Sequence, residues 1–216
     1  MKLLFALLLV CSLGVGALYA QTDGFTVVTT ESARRNSVAR HPRALPDATL
    51  SFASGRQDGL LHSLRVDGRV TIVNFIYTRC LTLCLVMGSE FQQMQAAIFQ
   101  HGMEHRIRLL SISFDPADTS EELARYARSQ HADPRVWQFA AAVGGAERRA
   151  LLAAFGIVVV PAPLGQFVHN AAYHIVGADG RLARIIDFNT PQLVLPQAQA
   201  EVGTLATAAA ATAPRP

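Results

Sequence analysis

Two cysteines four residues apart, Cys80 and Cys84, are the residues of this chain best suited to chemistry. They stand where a strongly apolar run, VTIVNFIYT (70–78), gives way at Thr78-Arg79-Cys80 to a helical pattern. Residues i and i+4 of a helix share a face, with Cβ atoms about 5–6 Å apart. That spacing suits a disulfide after modest adjustment, and it also lets two thiolates converge on one soft cation. A helix N-terminus favours negative charge, so the thiol pKa is expected to fall there, with Arg79 adding to the effect. Thiolate is the form that attacks disulfides and binds Cu(I). A structural disulfide is the alternative, although a bridge over so short a loop removes little unfolded-chain entropy. Structural zinc is disfavoured, because it wants four ligands and no further cysteine is at hand. Copper(I) accepts fewer ligands and prefers sulfur, so two thiolates and one imidazole would suffice.

The elements that must position this pair follow from periodicity. VTIVNFIYT, a strongly apolar, β-branched and aromatic run, reads as a buried central strand, and IRLLSISF (107–114) as a second buried strand. Between them Met87, Phe91, Met94 and Ile98 fall at i, i+4, i+7 and i+11, the stripe of a helix that Gly102 ends. After Asp115-Pro116, Thr119 and Glu122 match a capping box, opening a helix with Leu123 and Tyr126 on one side. Ala146 to Phe155 reads as another helix, stopped by Gly156. AAYHIVG (171–177) and LARIIDF (182–188) flank Ala178-Asp179-Gly180-Arg181 as a hairpin. The order is strand, helix, strand, helix, helix, hairpin. It predicts an α/β domain with a central mixed sheet flanked by helices. A reactive pair at the seam of its first strand and helix is the thioredoxin-like arrangement.

Seven histidines compete to be a third ligand. His101 and His105 flank Gly102 in polar text and read as surface residues. His174, within an apolar strand, reads as a hydrogen-bonded core residue. His41 and His62 lie in loop-like text, and His131 near a helix end. His169 sits at the end of a loop before a strand, and in a thioredoxin-like sheet that loop faces the cysteine seam. Met87 and Met94 could be soft ligands, but their shared stripe with Phe91 and Ile98 assigns them to the core.

The remaining text bounds the compartment and the partners. The chain has 216 residues, 50% apolar and 16% charged, with a formal net charge of +3, enough for one domain plus tails. Its 19 basic residues are spread out, with no block of five like charges, so no nucleic-acid partner is expected. Residues 1–20, MKLLFALLLVCSLGVGALYA, have the layout of a secretory signal peptide cleaved after Ala20. The rival is an uncleaved anchor, which would be the one membrane contact. Cys11 lacks a lipobox, so no lipid anchor is expected. Residues 21–45 read as an extended arm, 46–202 as the domain, and 203–216 as a low-complexity tail that frays.

Four blocks in order, FIYTRCLTLC (75–84), SISFDPADTSEELARYA (111–127), DPRVWQF (133–139) and VHNAAYHIVGADGRL (168–182), resemble the Sco/SenC family. These are thioredoxin-fold copper chaperones that assemble the dinuclear copper centre of cytochrome c oxidase. The resemblance, over roughly 46–190, implies that Cys80, Cys84 and His169 ligate copper, as Cu(I) or Cu(II). It also implies that Asp115 approaches the site, whereas its residue type and position suit a turn or helix-start acid equally well. The sequence departs from the family where Leu81 and Leu85 replace prolines after the cysteines. Val168 stands where an aspartate usually precedes the histidine, and the segment from Phe155 to His169 looks shortened. The expected function is that of an exported, periplasmic metallochaperone, taking one copper ion from an upstream donor and passing it to an apo-copper protein such as an oxidase subunit. The alternative is a thiol–disulfide oxidoreductase in which Cys80 attacks a partner's disulfide and Cys84 resolves the mixed disulfide.

Overall fold

The computed structural model describes residues 2–21, 29–80 and 83–212, and the chain divides between residues 41 and 42 into two compact units. In the first unit, helix α1 (Lys2–Gln21) includes Lys2–Ala20, a stretch long and apolar enough to cross a membrane by length and composition. Helix α2 (Thr30–Arg40) occupies much of the stretch expected to be an extended arm. It has no apolar stripe for periodicity to detect. Its start is fixed instead by a reciprocal exchange, in which the Ser32 N–H donates to Thr29 Oγ1 at 3.1 Å and the Thr29 N–H to Ser32 Oγ at 3.0 Å.

The second unit begins with strands β1 (Arg43–Ala44), β2 (Thr49–Phe52) and β3 (Gln57–Gly59), then helix α3 (Leu60–Arg65). Alternation follows: β4 (Val70–Ile76), α4 (Leu83–Gln100), β5 (Ile107–Ser113), α5 (Ser120–Ser129), β6 (Trp137–Ala142) and α6 (Gly145–Phe155). A small hairpin, β7 (Val159–Ala162) and β8 (Gln166–His169), precedes the larger hairpin β9 (Ala172–Val176) and β10 (Arg181–Asp187), and α7 (Val194–Thr212) closes the chain. Eight strands form one sheet in the order β1-β10-β9-β4-β5-β6-β2-β3. Strands β4, β5 and β6 run parallel, and β9 and β2 join them antiparallel on either side. This is the expected mixed sheet, and every residue of β4 and β5 is buried, including the polar Thr71, Asn74, Arg108, Ser111 and Ser113.

Helix α4 lies on the sheet through Cys84, Met87, Phe91, Met94 and Ile98, all buried. The Phe91 ring stands 5.4 Å from Trp137 of β6 and 6.0 Å from Tyr173 of β9. The chain leaves α4 through Gly102, whose φ of +61° is open to glycine at little cost. Thr119 and Glu122 form the expected capping box, and Gly156 ends α6 in the left-handed conformation. The turn of the β9–β10 hairpin falls where Asp179-Gly180 places it.

Two further elements depart from expectation. β6 was absent from the inferred order, because WQFAAA is small and alanine-rich; its parallel pairing with β5 makes it a strand. The tail, expected to fray, continues α7 as far as Thr212, in keeping with the helix propensity of alanine. Val194 and Ala198 anchor the start of that helix in the core. Residues 213–216 lie outside the described residues.

Candidate metal centre

Beyond the end of β4 the chain turns through Tyr77-Thr78-Arg79-Cys80, and carboxylates at the end of β5 hold that turn. Asp118 accepts the Thr78 N–H at 2.9 Å and the Thr78 hydroxyl at 2.6 Å, and it also accepts the Ser113 hydroxyl. Asp115, with 2% of its side chain exposed, accepts from Arg79 Nη2 at 2.7 Å, while the Arg79 side chain is 54% exposed. Asp115 therefore serves the site by gripping the residue before Cys80.

Cys84 lies in the helical stretch described from Leu83 onward, and its sulfur stands close to that of Cys80, as the four-residue spacing predicts. Leu81 lies outside the described residues. The Cys84 N–H donates to Cys80 Sγ at 3.2 Å, a donor that a thiolate uses better than a thiol. Neither residue is in a disulfide, and both are buried, at 3% and 0% exposure. The expectation of a lowered thiol pKa is reversed at Cys84. Its contact with the Cys80 sulfur, reinforced by burial, pushes that thiol up.

His169 comes from the last position of β8, paired across the small hairpin with Val159, and so ends a strand and not a loop. Its ring lies 4.9 Å from Phe114 and 6.2 Å from Tyr77, and Phe167 packs against both of those aromatics. Tyr77 donates its hydroxyl to Gln166 Oε1 at 2.9 Å. Burial, with the Cys80 sulfur close by, raises that phenol's pKa. The His169 Nδ1 stands 2.9 Å from the Asn170 carbonyl oxygen. A carbonyl can only accept, so Nδ1 carries the proton and Nε2 is the basic nitrogen. That Nε2 is buried and has no hydrogen-bond partner.

The ligand atoms of Cys80, Cys84 and His169 all lie within 4.8 Å of one another. Ligands about 2.0–2.3 Å from one ion stand about 4 Å apart, so the set closes on an ion by less than about 1 Å. Two sulfurs and one nitrogen form a soft donor set, and the orphaned Nε2 lacks only an electrophile. The residues present therefore fit a thiophilic metal. Of the competing histidines, His101 and His105 are exposed and His174 is buried with Nε2 3.0 Å from the Phe155 carbonyl, as expected, whereas His62, read as loop, lies in α3. Met87 and Met94 are in the core. Val168 is 66% exposed, and strand alternation turns it to the face opposite His169. Leu85, another of the departures, is half exposed.

Tyr77, Phe114, Asp118 and Phe167 shape the site, yet sequence reasoning gave them no role. The first three lie inside the blocks that carry the resemblance, which was the available signal. Their neighbours in space come from other elements, and spacing does not report those.

Against this geometry, the family profile described as SCO1/SenC matches residues 45–202. The chain belongs to the SCO1/SenC family. It is 28% identical over 142 residues to the SCO1 protein homolog of Bacillus subtilis (strain 168), covering 64% of this chain and 72% of the relative. BsSco, described as a member of the Sco family of cytochrome c oxidase assembly proteins with a disulfide switch, superposes with a TM-score of 0.64 at 22% identity, over 76% of this chain and 95% of that one. Bradyrhizobium japonicum ScoI, solved with copper bound, gives 0.59 at 21%, over 73% and 99%. At these identities the structural likeness speaks for the fold, and the SCO1/SenC chain is thioredoxin-like as expected.

Proposed function

We propose that this SCO1/SenC protein is an exported copper metallochaperone. It holds one copper ion through Cys80, Cys84 and His169 and delivers it to an apo-copper protein, a subunit of cytochrome c oxidase being the foremost candidate. The observation that carries the reading is the buried, unpartnered His169 Nε2 beside two reduced sulfurs. A nitrogen kept dry and without a donor costs free energy unless an electrophile completes it. Copper enters as cargo, taken from an upstream donor. It leaves by ligand exchange as the acceptor's donors replace the three protein ligands in turn. Residues 46–202 form the working domain, and α1 serves as a signal peptide or a membrane anchor that puts the domain in the periplasm. The working oxidation state is Cu(I), for which two thiolates are the preferred donors, with Cu(II) as the second state the same set accommodates.

Anaerobic Cu(I) titration of the full chain in detergent tests this. The reduced protein is expected to take up one equivalent. His169→Ala is expected to lower affinity by about 10–100-fold while both sulfurs still react with a thiol reagent. Unchanged stoichiometry and affinity in that variant would remove His169 from the site.

A second reading, thiol–disulfide exchange, is favoured by two reduced sulfurs side by side, with the Cys84 N–H donated to Cys80 Sγ at 3.2 Å. Cys80 as thiolate attacks a partner disulfide, forming a mixed disulfide and releasing one partner thiolate. Cys84 then passes its proton to the partner thiolate already released and attacks Cys80 Sγ, releasing the second partner thiolate. The cysteine pair is oxidised by two electrons and the partner reduced by two. Loss of exchange in His169→Ala would count against this reading, since the imidazole takes no part in those steps.

A further inference from the structure

We infer that Asn170 is a positioning residue that aims His169 at the two sulfurs, taking over an orienting task that residue 168 does not perform in this chain. The inference rests on the copper reading for its meaning and on geometry for its support.

His169 is the last residue of β8, and β9 begins at Ala172, so residues 170 and 171 carry the chain from the small hairpin into the main sheet. Such a link has little intrinsic order, yet the imidazole at its edge must keep one nitrogen directed inward. Asn170 spans the gap with its side chain. Its Oδ1 accepts the Val158 N–H at 2.7 Å, and its Nδ2 donates to the Gly156 carbonyl at 2.9 Å. Gly156 is the left-handed cap of α6, and Val158 leads into β7. One amide thus ties both ends of the small hairpin to the end of a helix whose Phe155 is fully buried. With that amide fixed, the backbone carbonyl of Asn170 has a fixed direction, and it receives His169 Nδ1–H at 2.9 Å. This single bond decides the tautomer and leaves Nε2 basic. The exposed, outward-turned Val168 offers the ring no polar group. Imidazole ligands ordinarily need such a partner on the nitrogen that does not bind the metal.

Two measurements on the full chain in detergent test the inference. The first needs no metal. Above the titration range of imidazole, 15N NMR of the wild-type apoprotein is expected to show His169 as one tautomer, protonated at Nδ1. Asn170→Ala is expected to show a mixture of both tautomers. The second is Cu(I) affinity: Asn170→Ala is expected to lose about tenfold or more, and His169→Ala/Asn170→Ala to be no weaker than His169→Ala alone. A merely structural role would give additive losses and leave the tautomer unchanged. Should the alanine variant fail to fold, Asn170→Asp keeps an oxygen toward the Val158 N–H and loses the donor to Gly156. It is expected to show the same mixing to a smaller degree. A single Nδ1–H tautomer in whichever variant folds, or additive losses in the double variant, would overturn the inference. If the wild-type protein takes up no copper, the functional reading fails, and the NMR comparison alone decides the role of Asn170.

Discussion

Cys84→Ser is expected to lower Cu(I) affinity by about 10²–10⁴-fold. Well-formed structural metal sites bind with about 10–16 kcal/mol. Sharing that among three donors, the loss of one removes about 3–5 kcal/mol, which is that fall in affinity. A serine hydroxyl does not replace the thiolate, because it is a hard, weakly acidic donor for a soft ion. The substitution also buries a hydroxyl where a sulfur was fully enclosed, at a cost of about 1–3 kcal/mol. The chain is expected to stay folded. Competition with a chromophoric Cu(I) chelator, beside a thermal melt, separates the two effects. A variant that melts earlier but competes as well as the wild type would show that the ion is held elsewhere. The comparison bears on Cys84 more than on Cys80, because Cys84 sits at once in the donor set and at the head of the core stripe of α4.

The second large effect lies further along that stripe. Phe91→Ala is expected to destabilise the protein by about 3–5 kcal/mol, read from urea denaturation. The ring fills the space between Trp137 and Tyr173 and has no exposed surface. Removing it leaves a cavity bounded by a tryptophan whose Nε1–H is already committed to Ser111 Oγ at 2.9 Å, so the surroundings collapse poorly. Domains of this size are stable by about 5–15 kcal/mol, so the loss is a large share of the whole. A loss below about 1 kcal/mol would mean that α4 is held by other contacts. Since the same helix carries Cys84 two turns earlier, the destabilised variant is expected to bind copper more weakly as well, and both losses should be recovered together by Phe91→Leu in part.

These two cases show why some of the molecule was legible in its sequence. Met87, Phe91, Met94 and Ile98 announce a helix and its buried side, because burial repeats with the helical period. The runs at 70–78 and 107–114 announce central strands, since both of their faces are covered. The Thr119–Glu122 box and Gly156 announce a start and a stop, because each satisfies backbone groups in a way few other residues can. β6 carried no such sign, being a strand by virtue of its neighbour. α2 carried none either, being held by an exchange between Thr29 and Ser32 that leaves no period. At the site, the cysteine spacing and the family blocks brought Cys80, Cys84 and His169 forward. The carboxylate of Asp118 under Thr78, and the amide of Asn170 under the small hairpin, depend on contacts between segments distant in sequence. The rise of the Cys84 thiol pKa was hidden for a related reason. A helix start argues for a lower value, and the neighbouring sulfur with its burial outweighs it.

Among the described residues, β7 and β8 pair with each other and with no strand of the main sheet. A two-stranded ribbon is marginal by itself in water, so this one persists through the aromatic packing of Phe167 and the Asn170 tether. The donors of the site thus rest on supports of unequal firmness. The sulfurs adjoin β4, the fully buried centre of the main sheet, whereas the imidazole rides on a two-stranded ribbon outside it, the kind of element expected to open locally at lower cost. A two-sulfur state can therefore exist for short intervals within the folded protein. On the copper reading proposed above, the time the ribbon takes to reclose would set how long an ion held by the sulfurs alone stayed one bond short and open to capture.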